Sequence, residues 1–160
     1  MKIEDIINQI NFRSNPKSAL YFELFIQNLL KLHLEKQGKQ FISDYVIDGN
    51  RLDGYSKNGI GNYEGPVAFE IKYTHRYNPM IMRYTVRQLT GILDSEKIKH
   101  MILIYPADSD KMRYFLRNEN PKLILWGITE INGLIDANKE EAEYIANSLF
   151  KLEIKKELNR

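Results

Sequence analysis

From Val67 to Tyr73 the residues Val67, Phe69, Ile71 and Tyr73 alternate with Ala68, Glu70 and Lys72, a period of two that admits a β-strand and little else. The first set makes an apolar face suited to packing under helices. The second sets a carboxylate beside an ammonium. Residues two apart on a strand lie ~7 Å apart on one face, so Glu70 and Lys72 can converge on a single bound group. Upstream, Asp53 follows a short apolar step and precedes a turn-rich stretch with Asn58-Gly59 and Gly61. A hairpin through that stretch returns the chain so that Asp53 comes beside Glu70.

Two carboxylates and a lysine at one end of a sheet suit a hard divalent cation. Mg²⁺ is usually held by one or two carboxylates together with substrate phosphate and water. Asp53 and Glu70 offer such oxygens, and the main-chain carbonyl of Ile71 is a further donor. Lys72 is placed to orient or help deprotonate an attacking water and to offset charge on a phosphate. Glu-x-Lys alone is common on solvated sheet faces; the aspartate, turn and strand around it give the pair its weight.

The remaining elements follow in order. Residues 1–12 read as a short helix, closed by the turn chemistry of Asn15-Pro16, and a longer helix runs from about Pro16 to Gln37 with Gly38 as its stop. Glu23 is the one acid in the apolar run from Ala19 to Leu30, and either tips to solvent or points at a cation. Phe41 to Ile47 is a strand, and Asp48-Gly49-Asn50 a tight turn into the next strand, which carries Leu52 and Asp53. After the polar loop Thr74–Pro79, Met80 to Lys99 reads as a helix. His100–Tyr105 and Leu123–Ile128 are continuously apolar runs, as in strands covered on both faces, with a helix from Asp108 to Asn118 between them. The tail from about Ile131 is helical, and Tyr144, Ile145, Leu149, Leu152 and Ile154 could dock it. The series implies an α/β fold: a mixed central β-sheet flanked by helices.

Composition narrows the classes. A chain of 160 residues can bury one core without staples, and 43% hydrophobic with 28% charged residues is ordinary for a globular domain. With no cysteine there is neither a disulfide framework nor a thiolate metal site. No apolar run approaches a membrane span and the N-terminus lacks signal-peptide character, which points to a cytoplasmic protein without membrane association. A net charge of +2 requires any basic surface to be local. The histidines His33, His75 and His100 have no ligand spacing.

In this order of elements the chain resembles the PD-(D/E)xK nucleases, the restriction-endonuclease-like superfamily with its αβββαβ core, and within it the Mrr-type restriction nucleases and related defence effectors. The matching residues are Phe22-Glu23-Leu24 in the first core helix, Leu52-Asp53-Gly54 on the second strand and Phe69-Glu70-Ile71-Lys72-Tyr73 on the third. Val86-Arg87-Gln88-Leu89 matches the following helix, where one of Arg87 and Gln88 is expected to face inward. The resemblance covers roughly residues 17–128, within a single domain spanning 1–160. It implies that Asp53 and Glu70 are metal ligands, Lys72 the catalytic lysine, and Glu23 the acid that holds a metal-bound water or a second metal. Leu52 stands where many relatives have proline. The loop from Ser56 to Pro66 exceeds a minimal hairpin, so the register of Asp53 against Glu70 is left open.

The resemblance further implies hydrolysis of phosphodiester bonds with Mg²⁺, or Mn²⁺ in its place, on DNA that is plausibly double-stranded. Lys57, His75, Arg76, Arg83, Arg87 and Gln88, among Tyr55, Tyr73, Tyr77 and Tyr84, are the candidate DNA contacts. Arg and Lys neutralise phosphates without reading sequence, and tyrosine adds hydrogen bonds and stacking. Cutting both strands with paired sites calls for a homodimer or higher oligomer. The charged stretch from Leu152 to Arg160 reads as an exit toward a further domain, such as a sensor or NTPase. The rival readings are a catalytically silent nucleic-acid-binding module and a protein-interaction module presenting the tyrosine-rich face.

Overall fold

In chain order the elements are α1 (Ile3–Ser14), α2 (Ser18–Lys36), β1 (Ile42–Ile47), β2 (Asn50–Ser56), β3 (Val67–Ile71), α3 (Pro79–Leu93), β4 (His100–Ile104), α4 (Ser109–Leu116), β5 (Leu123–Trp126), α5 (Ile128–Asp136) and α6 (Lys139–Leu158). The computed structural model describes residues 1–14, 16–118 and 120–158, with side chains described in these except at 12–14 and 150–158. The strands form one sheet in sequence order, β1 to β5. β1, β2 and β3 are antiparallel, while β3, β4 and β5 run parallel and are joined by the crossover helices α3 and α4. The fold is therefore α/β, a mixed five-stranded sheet flanked by helices.

Two apolar cores sandwich the sheet. Val67, Phe69 and Ile71 of β3 and Ile102 and Ile104 of β4 pack with α1, α2, α5 and α6. Ala68, Met101 and Leu103 pack on the other face beneath α3 and α4. The period-two reading of β3 and the two-sided burial of β4 both follow from this arrangement.

Local chemistry fixes the elements that carry the candidate site. Gly38, at φ 71°, ends α2; its N–H reaches the Glu35 carbonyl, and the Lys39 N–H the Leu34 carbonyl, the paired bonds of a Schellman stop. Asp48 and Gly49 both have positive φ and join Ile47 to its partner Asn50, as a two-residue hairpin turn requires. Asn78 caps α3 by accepting the Ile81 N–H at 3.2 Å, with Pro79 in the first turn.

Two helix boundaries depart from the sequence reading. The helix expected to reach Lys99 stops at Leu93: Asp94 caps it, Glu96 takes φ 60°, and the Lys99 N–H is already bonded to the Pro66 carbonyl at 2.9 Å. The tail is two helices, broken at Ala137 and Asn138. Asn138 is buried, and its amide bonds the Leu134 carbonyl and the His33 ring. Ile145 and Leu149 dock as expected, but Tyr144 lies one position off that stripe and is 73% exposed. Asn15 lies outside the described residues, as do Asn159 and Arg160, and the expected docking of Leu152 and Ile154 concerns side chains outside them too. Among the described residues no helix is long and apolar enough to cross a membrane.

Candidate active site

The site forms where the first hairpin loses its alternation. Tyr45 pairs with Leu52, and both pack beneath α3; Ser43 pairs with Gly54, which faces the opposite core against the Phe41 and Phe69 rings. Regular pleating would put Leu52 and Gly54 on one side. Between them Asp44 adopts φ 54°, a left-handed conformation that aspartate tolerates better than most residues, and Asp53 stands opposite. In β2 and β3, Gly54 pairs with Phe69 and Tyr55 with Ala68, so the same register brings Asp53 level with Glu70. The main-chain ladder is not continued there. Instead the Asp53 carboxylate accepts the Ile71 N–H at 2.7 Å, which satisfies a buried donor.

Helix α2 supplies the next member. The Gln27 amide donates to the Asp53 main-chain carbonyl at 2.9 Å and ties helix to strand. Glu23 lies one turn earlier on the same face, so it is carried to the Asp53 side chain. It does not tip fully to solvent: its side chain is 25% exposed. Carboxylate oxygens of Glu23, Asp44 and Asp53 all lie within 4.8 Å of one another. Glu70 reaches Asp53 from the other side, and Lys72 sets its ammonium 3.2 Å from Glu70. Arg51 faces the cluster, its guanidinium 2.9 Å from Asp44, 3.3 Å from Glu23 and 3.9 Å from Asp53.

Four carboxylates therefore face two cations. The carboxyl of Glu23 is pushed up to about 7, first by burial and then by the Asp53 charge, against the pull of Arg51. Glu70 is also pushed up to about 7, by burial and by Asp53, with Lys72 opposing. Near neutral pH both titrate. Such a set is short of positive charge.

The other residues singled out from the sequence divide by position. Gln88 lines a cavity of about 310 Å³ with Asn50, Arg51, Glu70, Leu89 and Ile92, so of the α3 pair it is Gln88 that faces the site. Arg83 and Arg87 instead line a groove between α3 and α4, with Val86, Phe115, Leu116 and Arg117. His75 and Arg76 are exposed in the loop after Lys72, where His75 meets the Tyr73 ring edge-on. Lys57 is apart from all of these. It follows Ser56, which pairs with Val67 at the opposite end of β3 from Glu70. Tyr55 stacks on Tyr45, Tyr73 meets Phe22 and Tyr77 meets Tyr105 at a tilt, while Tyr84 is exposed and accepts from Gln88.

Asp44 and Arg51 were not singled out from the sequence. The signal for Asp44 was available: a two-residue turn at Asp48-Gly49 pairs Ile47 with Asn50, and counting back along both strands sets Asp44 opposite Asp53. Arg51 shares a strand with Asp53 two positions away, so it belongs to the same neighbourhood.

No family model, curated protein or solved structure matches the chain. The carboxylate donors are all hard oxygens, three of them clustered with a fourth adjoining, and two of the carboxyls are raised, first by burial and then by the Asp53 charge. Such oxygens could hold a hard cation such as Mg²⁺ or Mn²⁺, and suit it better than a thiolate- or imidazole-seeking ion.

Proposed function

We propose that the chain is a metal-dependent DNA endonuclease of the PD-(D/E)xK type, acting in restriction or anti-phage defence. The observation that carries the reading is the meeting of Glu23, Asp53, Glu70 and Lys72, from one helix and two strands, in a space where each touches or adjoins the next. Solvated surface acids have no reason to converge in that way. In this reading Asp53 and Glu70 hold the cation, with the Ile71 carbonyl as a further donor, and Asp44 adds an oxygen the resemblance did not include. A bound Mg²⁺ would polarise the scissile phosphodiester and lower the pKa of a water.

The chain's own groups do the rest. Lys72, 39% exposed beside Glu70, offers an ammonium to the attacking oxygen and to the charge that develops on phosphorus. Glu23, with its carboxyl near 7, can hold a proton or release it at working pH, which suits it to orient a water. Gln88 lines the same cavity as Glu70, and its amide suits contact with a backbone phosphate. His75 and Arg76 continue the basic surface beyond Lys72. A homodimer would pair two such sites for double-strand cutting.

Supercoiled plasmid with Mg²⁺ or Mn²⁺ tests the proposal. Nicked or linear product that EDTA abolishes is the expected result. Intact plasmid under both metals, together with salt-dependent retardation of DNA, would favour the silent binding module instead.

A further inference from the structure

The guanidinium of Arg51 claims the same carboxylates that a divalent cation would use. Its Nη2 contacts Asp44 at 2.9 Å and Glu23 at 3.3 Å and lies 3.9 Å from Asp53, and its Nε donates to Asp44 at 3.1 Å. We propose that Arg51 is a displaceable internal cation, which neutralises Glu23, Asp44 and Asp53 in the metal-free protein and is driven out when a divalent ion binds them. The inference rests on the metal-site reading above and concerns what sets the metal affinity of that site.

The magnitudes favour displacement. A divalent ion sits ~2.1 Å from carboxylate oxygens, so its attraction to each is roughly threefold that of a single charge near 3 Å, before dehydration is counted. Both cations on the same oxygens would stand within roughly 4 Å of each other and repel. The arginine is also the easier one to move. Its side chain is 62% exposed, and a solvent-exposed guanidinium is held only weakly by its ion pairs. It has somewhere to go, since it also borders the cavity shared by Asn50, Glu70 and Gln88. Asp44, opposite Asp53 at its left-handed turn of backbone, gives the guanidinium its shortest contact.

The test is calorimetric titration of Mn²⁺ at pH 8, without nucleic acid, into wild type, Arg51→Ala and Arg51→Lys, with thermal melts in EDTA and in Mn²⁺ on the same samples. Arg51→Ala should bind Mn²⁺ about 10-fold more tightly than wild type, with Arg51→Lys between them. In EDTA Arg51→Ala should melt lower than wild type, and it should gain more from Mn²⁺. A purely structural arginine would lower both melts equally. Equal or weaker Mn²⁺ affinity in Arg51→Ala, with wild type binding normally, would overturn the proposal and leave the metal site standing. Absence of Mn²⁺ binding in all three proteins would overturn the metal site, and this inference with it.

Discussion

Glu23 and Glu70 hold their protons up to about pH 7, where ordinary glutamates lose them near 4.5. The consequence for stability has a definite sign. Below pH 4.5 both carboxyls are protonated in the folded and unfolded chain alike, and nothing is lost. Between 4.5 and 7 the unfolded chain ionises while the folded one keeps its protons, so stability falls with rising pH, by up to about 3 kcal/mol for the well-buried Glu70 and by less for the more solvated Glu23. Above 7 the loss is complete unless a cation offsets the charge. In EDTA, the melting temperature of wild type relative to Glu70→Gln should therefore fall from pH 4.5 to 7 and then level off. Mg²⁺ should raise the wild-type value most at pH 8. Parallel profiles for the two proteins would contradict the burial of Glu70 beside Asp53.

At the scale of elements, the close approach of β1, β2 and β3 decides whether these side chains meet. Gly54 follows Asp53, and a Cβ at that position would fall 2.5 Å from the Phe41 ring. Gly54→Ala should cost about 1–3 kcal/mol, read as a lower midpoint in urea, because the ring must shift within a packed core. An unchanged midpoint would mean that the hairpin yields freely. Much of the element order was legible because it rests on short-range signals: the alternation of β3, the Asp48-Gly49 turn, the glycine that stops α2. The register of Asp53 was not, because the Ser56–Pro66 loop hides it and a side-chain bond to the Ile71 N–H sets it. Counting back from the Asp48-Gly49 turn sets Asp44 opposite Asp53, but the left-handed kink at Asp44 that accompanies the Arg51 contact is one no period reveals. The α3 end was misread because residues 94–99 look helical in composition yet turn back to bond Pro66.

Across the whole molecule, a net charge of +2 hides an uneven distribution. Arg83, Arg87 and Arg117 border one groove, and none of them forms an ion pair among the described residues. Lys57 lies at the far end of the sheet. If DNA follows α3 across the site, Arg87→Ala should lower the slope of log affinity against log salt by about 1, and Lys57→Ala should leave it unchanged. Equal effects from both substitutions would place the DNA elsewhere. In the proposed reading Lys72 serves chemistry at a carboxylate cluster that would hold a metal. Single-turnover cleavage of a labelled duplex in Mg²⁺, by wild type and Lys72→Ala, tests it most directly when duplex affinity is measured on the same samples. Cleavage by Lys72→Ala should fall at least ~100-fold, with affinity changed by less than ~3-fold. Equal cleavage rates in the two proteins would contradict it.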